Sequence, residues 1–258
     1  MRRGRRPRGD AGRAFFSLDS VLSAPASLLW GIGCGVGSAD KTSVRRAAAI
    51  ALLLVFALPV SAWAQAGRFR PEQERLRPAD IAMAKRTTVR AADLASGWVR
   101  TAPTKSPDQK LDCPGVDLDF SRFTITGTAR SKFERPGGSI ESYVEVYKSR
   151  VDAAGDFRKG SRPAVLACIA RLIDKGARRD GRGRVVAARS LADPRMGEQA
   201  MAYRVVLSVA TGGGAVRAYV DFLGFQQGRT AVLLAFTAAR APITGRVPLA
   251  RAVAARAR

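Results

Sequence analysis

The segment Thr230–Phe236, TAVLLAF, is apolar at nearly every position. A strand with one wet face alternates polar and apolar residues, so a run without alternation reads as a central strand covered on both faces. It closes a series of four strand-like runs: Val185–Leu191, Ala200–Ala210, Ala215–Phe225 and Thr230–Thr237. The last two turns fall at Gly212-Gly213-Gly214 and Gln226-Gln227-Gly228. Connections that short make neighbouring strands antiparallel.

The preceding chain supplies more of the same sheet and its helices. Pro78 and Asp80 open a short helix over Pro78–Lys85, and Asp93–Trp98 reads as a turn into a first strand. Phe123 and Ile125 begin a period-two pattern that runs to about Phe133. Arg135-Pro136-Gly137-Gly138 is a hairpin turn, and Ile140–Lys148 is the return strand. Helical spacing follows at Val151, Ala154 and Phe157. Ser161 is a candidate cap for a second helix striped by Leu166, Ile169, Ala170 and Ile173. Val247–Ala255 ends the chain as a helix. The order is α-β-β-β-α-α-β-β-β-β-α, an α+β fold: an antiparallel sheet with helices packed mainly on one side.

Arg45–Ala64, RRAAAIALLLVFALPVSAWA, reads as an export signal. Arg45 and Arg46 give a positive start. Ala47–Leu58 is an uncharged apolar run within the roughly 7–15 residues of a signal core and short of the roughly 20 of a membrane span. Pro59 breaks the helix, and Ala62-Trp63-Ala64 places cleavage before Gln65. Arg45-Arg46 also fits a twin-arginine signal. Residues 1–44 carry six arginines and read as an upstream extension, a basic cytoplasmic tail or a long leader. Residues 65–77 are polar and charged, the composition of a mobile tail, and 78–258 form a single extracytoplasmic domain. Without cleavage the same segment makes a membrane-tethered protein.

Residues 65–258 keep 35 of the 44 Lys+Arg and 18 of the 21 Asp+Glu, a formal net charge of +17. That charge attracts polyanions, either an anionic envelope polymer or a lipid surface, and export argues against nucleic acid. Two cysteines follow the export segment, Cys113 and Cys168. An even pair in an exported domain points to a disulfide closing a 55-residue loop, with two buried thiols as the alternative.

DLASGW at 93–98, CPG at 113–115, SIESYVEVYKS at 139–149, Cys168 in the following helix and GRTAVLLAF at 228–236 carry a resemblance. These segments resemble a family of exported actinobacterial proteins related to the extracellular sensor domain of mycobacterial serine/threonine kinases. The resemblance spans most of Pro78–Arg258. It implies one extracytoplasmic sensor-like domain with a cleft and a disulfide, and it transfers no functional residues. A kinase domain and a membrane span are missing from this chain.

The chain has no histidine, which removes Ser-His-Asp triads, Cys-His pairs and His-ligated zinc. It has no asparagine, so N-glycosylation is excluded. No phosphate-loop, dinucleotide or serine-elbow motif occurs, and nothing calls for a cofactor or metal. Asp112, Asp117 and Asp119 sit in a turn whose spacing matches no calcium loop. Two candidate sites remain. Glu141, Tyr143, Glu145 and Tyr147 share one strand face and read either as a ligand groove or as a helix-covered or solvated face. The Glu141 and Glu145 backbones are about 13 Å apart, beyond the roughly 5–9.5 Å of a glycosidase pair. Arg178, Arg179, Arg182 and Arg184 crowd one turn and suit phosphate or acidic polymers.

Three functions are compatible with these residues. The first is a secreted, non-enzymatic binding or sensor-like module of unknown ligand. The second is an envelope-associated structural protein held by polyanion attraction. The third is a hydrolase that works without histidine.

Overall fold

The computed structural model describes residues 70–103, 113–179, 181, 183–192, 194–211 and 214–258. The expected leader, export signal and cleavage site lie outside these residues, as do Asp112 and Arg182. The elements run β1 (Gln73–Glu74), α1 (Pro78–Thr87), β2 (Val99–Thr101), β3 (Thr124–Arg135), β4 (Gly138–Tyr147), α2 (Arg150–Gly160), α3 (Pro163–Arg179), β5 (Gly183–Ser190), β6 (Gln199–Thr211), β7 (Gly214–Gln227), β8 (Thr230–Ala239) and α4 (Arg246–Arg256). The strands form one sheet in the order β1-β3-β4-β8-β7-β6-β5, with β2 also on β3. The β1–β3 pairing is parallel and the others are antiparallel. The chain leaves β4, crosses the sheet through α2 and α3, and returns by the β5–β8 meander.

The return ends with β8 inserted between β4 and β7, where Leu233 lies opposite Tyr143 and Gly224. This is the continuous apolar run, and both of its sides are buried. Ala231, Leu233 and Ala235 join Phe157, Leu166, Ile169 and Ile173 of α2 and α3 in one core. Val232, Leu234 and Phe236 join Ala84 of α1 and Leu249, Ala250 and Val253 of α4 in a second core. The α+β class and the antiparallel sheet are as expected from the sequence. The helices, however, divide between the two faces instead of gathering mainly on one. The physical reason is β8 itself: its residues are apolar on both sides, and a single helical layer would leave one of those sides wet.

Local signals explain the helices on the first face. Val165, Leu166, Ile169, Ala170, Ile173 and Ala177 recur at three- and four-residue steps along α3 and are buried. Arg178 and Arg179 occupy its last turn, where cations meet the negative helix end. Ser149 caps α2, its hydroxyl accepting from the Asp152 amide at 3.0 Å. Ser161 is the C-cap of α2, its amide donating to the Phe157 carbonyl, rather than a start signal for α3. The Cys113–Cys168 disulfide forms, with Cα atoms 5.8 Å apart, and ties α3 to the loop before β3.

The other layer is held by close approach and by ions. A Cβ on Gly127 would lie 2.3 Å from the Asp80 carbonyl carbon, so only glycine lets α1 rest on β3 there. Arg229 Nη2 bonds Asp80 Oδ1 at 2.8 Å, and Arg256 forks onto Asp93 at 2.9 and 2.7 Å. Residues 70–77, the described part of the expected mobile tail, are instead laid down by backbone pairing. The amides of Arg70, Gln73, Arg75 and Arg77 donate to the carbonyls of Leu118, Phe123, Ile125 and Thr126, which lays this segment along β3.

Two outcomes follow for stability. Gly127→Ala must push α1 off β3 and should cost roughly 3 kcal/mol in denaturant unfolding; a change within about 0.5 kcal/mol would mean that α1 is not seated as described. Replacing both Cys113 and Cys168 with alanine should cost up to about 4 kcal/mol, the loop-entropy value for this separation, read in the same assay.

Candidate functional site

Strand β4 carries Glu141, Tyr143, Glu145 and Tyr147 on the face that receives α2 and α3, and all four are buried. They line a covered face, not an open groove. Glu141 lies opposite Lys132 of β3 and Ala235 of β8, and neither of its carboxylate oxygens has a hydrogen-bond partner. The Arg130 guanidinium stacks on the Tyr143 ring, 4.9 Å from its centroid.

The lower half of this face forms a cluster of acids. Tyr147 Oη is 2.7 Å from Glu145 Oε2 and 2.8 Å from Asp156 Oδ2 of α2. The Glu72 carboxyl, brought in just before β1, reaches Asp156. A phenol has one hydrogen and cannot donate to two carboxylates at once. One of the two contacts therefore needs a proton on a carboxyl, as does the contact between Glu72 and Asp156. Burial, then the charge of Glu72, pushes Glu145 up to about 8. Burial first, then Glu72 and Glu145, also holds Asp156 well above the carboxylate range, and burial raises Glu72. Tyr147 is driven above the ordinary phenol range by burial and then by Asp156 and Glu145.

The cluster meets one requirement of a carboxylate hydrolase and fails another. Two carboxyls converge on one phenol oxygen, which no sequence spacing disclosed because Asp156 belongs to a different element. Yet Glu145, Tyr147 and Asp156 are 3%, 0% and 0% exposed, so no glycoside can enter between them. Among the described residues no three acidic or cysteine side chains are grouped to hold a metal ion. Asp117 and Asp119 are engaged in local structure. Asp117 accepts from the Asp119 amide, Asp119 accepts from Ser121, and buried Lys159 pairs with Asp117 at 2.7 Å.

The basic turn is also dispersed. Arg178, at the end of α3, bonds Asp174 at 2.7 Å, and Asp174 also accepts from the Val185 amide. Arg179 is exposed beside it. Arg184 lies opposite Ser208 in β5, and its neighbour Val185 packs into the core under α3, so Arg184 projects to the far face of the sheet.

On that far face the register assembles a different basic group. One row across β5, β6 and β7 reads Arg189, Arg204 and Asp221. The next reads Ala187, Val206 and Tyr219, and a third Arg184, Ser208 and Arg217. Arg184, Arg189 and Arg217 are exposed. Asp221 is buried and takes two guanidiniums, Arg204 bidentately at 2.6 and 2.9 Å and Arg246 from the start of α4. Burial, then the charge of Arg204, lowers the pKa of Arg246. Two cations on one carboxylate leave a positive remainder at the edge of α4. These arginines are scattered from 184 to 246, so no window of sequence contains them. The one available signal was the alternation of Arg204 and Arg217 with apolar neighbours in β6 and β7.

No protein-family model matches this chain, and neither does any curated protein. No helix among the described residues is long and apolar enough to cross a membrane.

The buried acids set a pH dependence of definite sign. Folding raises the carboxyl pKa of Glu145 from 4.5 to about 8, so the protonated form is favoured. The stability this gives is complete below about pH 4.5 and is lost as pH rises through about 8. Glu72, Glu74, Arg130, Tyr147 and Asp156 are the charged or titrating groups acting on it. Asp80, Asp117 and Asp174 are lowered instead and lose their pairing only in acid. Tm should fall between about pH 5 and 8.5 by something on the order of 5 °C. Glu145→Gln should flatten that slope, and an unchanged slope in this variant would contradict the shared-proton arrangement.

Proposed function

We propose that the protein is an exported, non-enzymatic binding module of the cell envelope, retained there by attraction to anionic polymer. The observation that carries this reading is the open basic face of β5, β6 and β7. It is an accessible charged surface, whereas the tyrosines and carboxylates of β4 are enclosed. The net charge of the chain after the export signal acts in the same direction. The Cys113–Cys168 disulfide supports folding in an oxidising compartment. The resemblance to exported sensor-like proteins supports the same compartment and a role in binding without catalysis. A hydrolase is disfavoured because the converging carboxyls are sealed.

A sensor that closes around a small ligand is the second reading. It draws on Glu141, a carboxylate buried without a hydrogen-bond partner on the β4 face.

Fractionation of cells making the full chain tests the proposal. The protein should sediment with the envelope at physiological ionic strength and be released near 1 M salt, where the screening length falls to about 3 Å. Recovery in the cytosol, or in the medium with no envelope-bound portion, would refute envelope retention.

A further inference from the structure

We propose that the open β5–β6–β7 face binds an acidic polysaccharide, with Tyr219 against a sugar ring and Arg184, Arg189 and Arg217 on its carboxylates. This rests on the envelope reading and names the surface and the polymer.

The face has a pattern suited to that polymer. Arginine rows flank a strip made by Ala187, Val206 and Tyr219. Arg204 and Ser208 mark the two rows and are four residues apart on β6, about 13 Å along the strand. Neighbouring strands are about 4.8 Å apart, so Arg184 and Arg217, two strands apart across Ser208, offer guanidiniums on one side of the strip, and Arg189 offers one on the other. Guanidiniums match carboxylates bidentately. Tyr219 is half-buried, and Arg204 lies 5.6 Å from its ring centroid, which holds one side of the ring in place. A linear uronic-acid chain lying in the strip puts its ring faces on Tyr219 and its carboxylates on the flanking rows.

Other polyanions fit less well. A bilayer would be met by protruding apolar side chains, and the strip presents alanine, valine and a recessed tyrosine. Single-stranded nucleic acid is held by successive bases on several aromatics, and these three rows carry one. Arg204 and Arg246 set the local field through Asp221 rather than contact the polymer, since Arg204 is already bonded bidentately.

The test is binding of a short oligogalacturonate to the full chain, by calorimetry at about 0.15 M salt. Arg184→Glu/Arg189→Glu/Arg217→Glu should weaken it about tenfold or more. Arg171→Glu/Lys175→Glu/Arg179→Glu, the same charge change on α3 of the opposite layer, should stay within about threefold. Tyr219→Ala should weaken binding about fivefold. Arg217→Glu alone, at an exposed position, should lose about threefold and serves if the triple variant does not fold. Equal losses in the two triple variants, or no loss in the β-face variants, would overturn the assignment of this surface. Tighter binding of oligothymidylate or of phosphatidylglycerol vesicles at matched salt would overturn the polysaccharide. Either result leaves envelope retention standing if salt still releases the protein from the envelope, whereas a protein absent from the envelope removes both.

Discussion

Burial of β8 on both sides is the constraint on which the remaining architecture depends. A strand with Ala231, Leu233 and Ala235 on one side and Val232, Leu234 and Phe236 on the other needs two cores, and each core needs its own helical cover. The long crossover from β4 to β5 supplies α2 and α3 for one face. The segment ahead of β2 supplies α1 and the segment after β8 supplies α4 for the other. These two helices bury few large residues, and ionic pairs help to seat them: Asp80 with Arg229 and Asp93 with Arg256. Each pair joins segments more than a hundred residues apart, which makes α1 and α4 dependent on a completed sheet.

The two faces have opposite electrostatic characters. Under α2, a tyrosine hydroxyl and three carboxyls crowd together, and shared protons make that tolerable because ionising all of them in a dry site would be prohibitive. Beyond α4, the sheet surface carries no helix among the described residues and is arginine-rich, with Asp221 as the buried anchor of two guanidiniums. One cluster is sealed and stores protons, and the other is open and offers charge. Accessibility separates their chemical roles more than residue type does, since carboxylates and arginines act in both.

Much of the element plan was legible. The hairpin at Pro136-Gly137, the stripe of α3 and the meander ending in TAVLLAF follow from period and turn chemistry that each segment carries locally. The division of helices between two faces was harder to read, because α1 and α4 present weak stripes. The segment before α1 has charged side chains, but its backbone amides pair with carbonyls beside β3, and backbone pairing leaves no mark on composition. Of the candidate sites, the four residues of β4 do share one face, and of the readings open for it the helix-covered one holds. The turn at 178–184 was a cluster in sequence whose described arginines end on different layers.

By itself, the sequence determined that this chain builds an antiparallel α+β sheet around a doubly covered strand. It also carried a high positive charge and the exclusion of histidine chemistry. The tertiary structure decided which charges meet. Glu72, Glu145 and Asp156 come from an edge segment, a strand and a helix. Arg184, Arg189, Arg204 and Arg217 come from three strands whose register alone aligns them. Side-chain direction alternates with each strand residue and proximity depends on pairing, so these groupings exist only once the strands are in register.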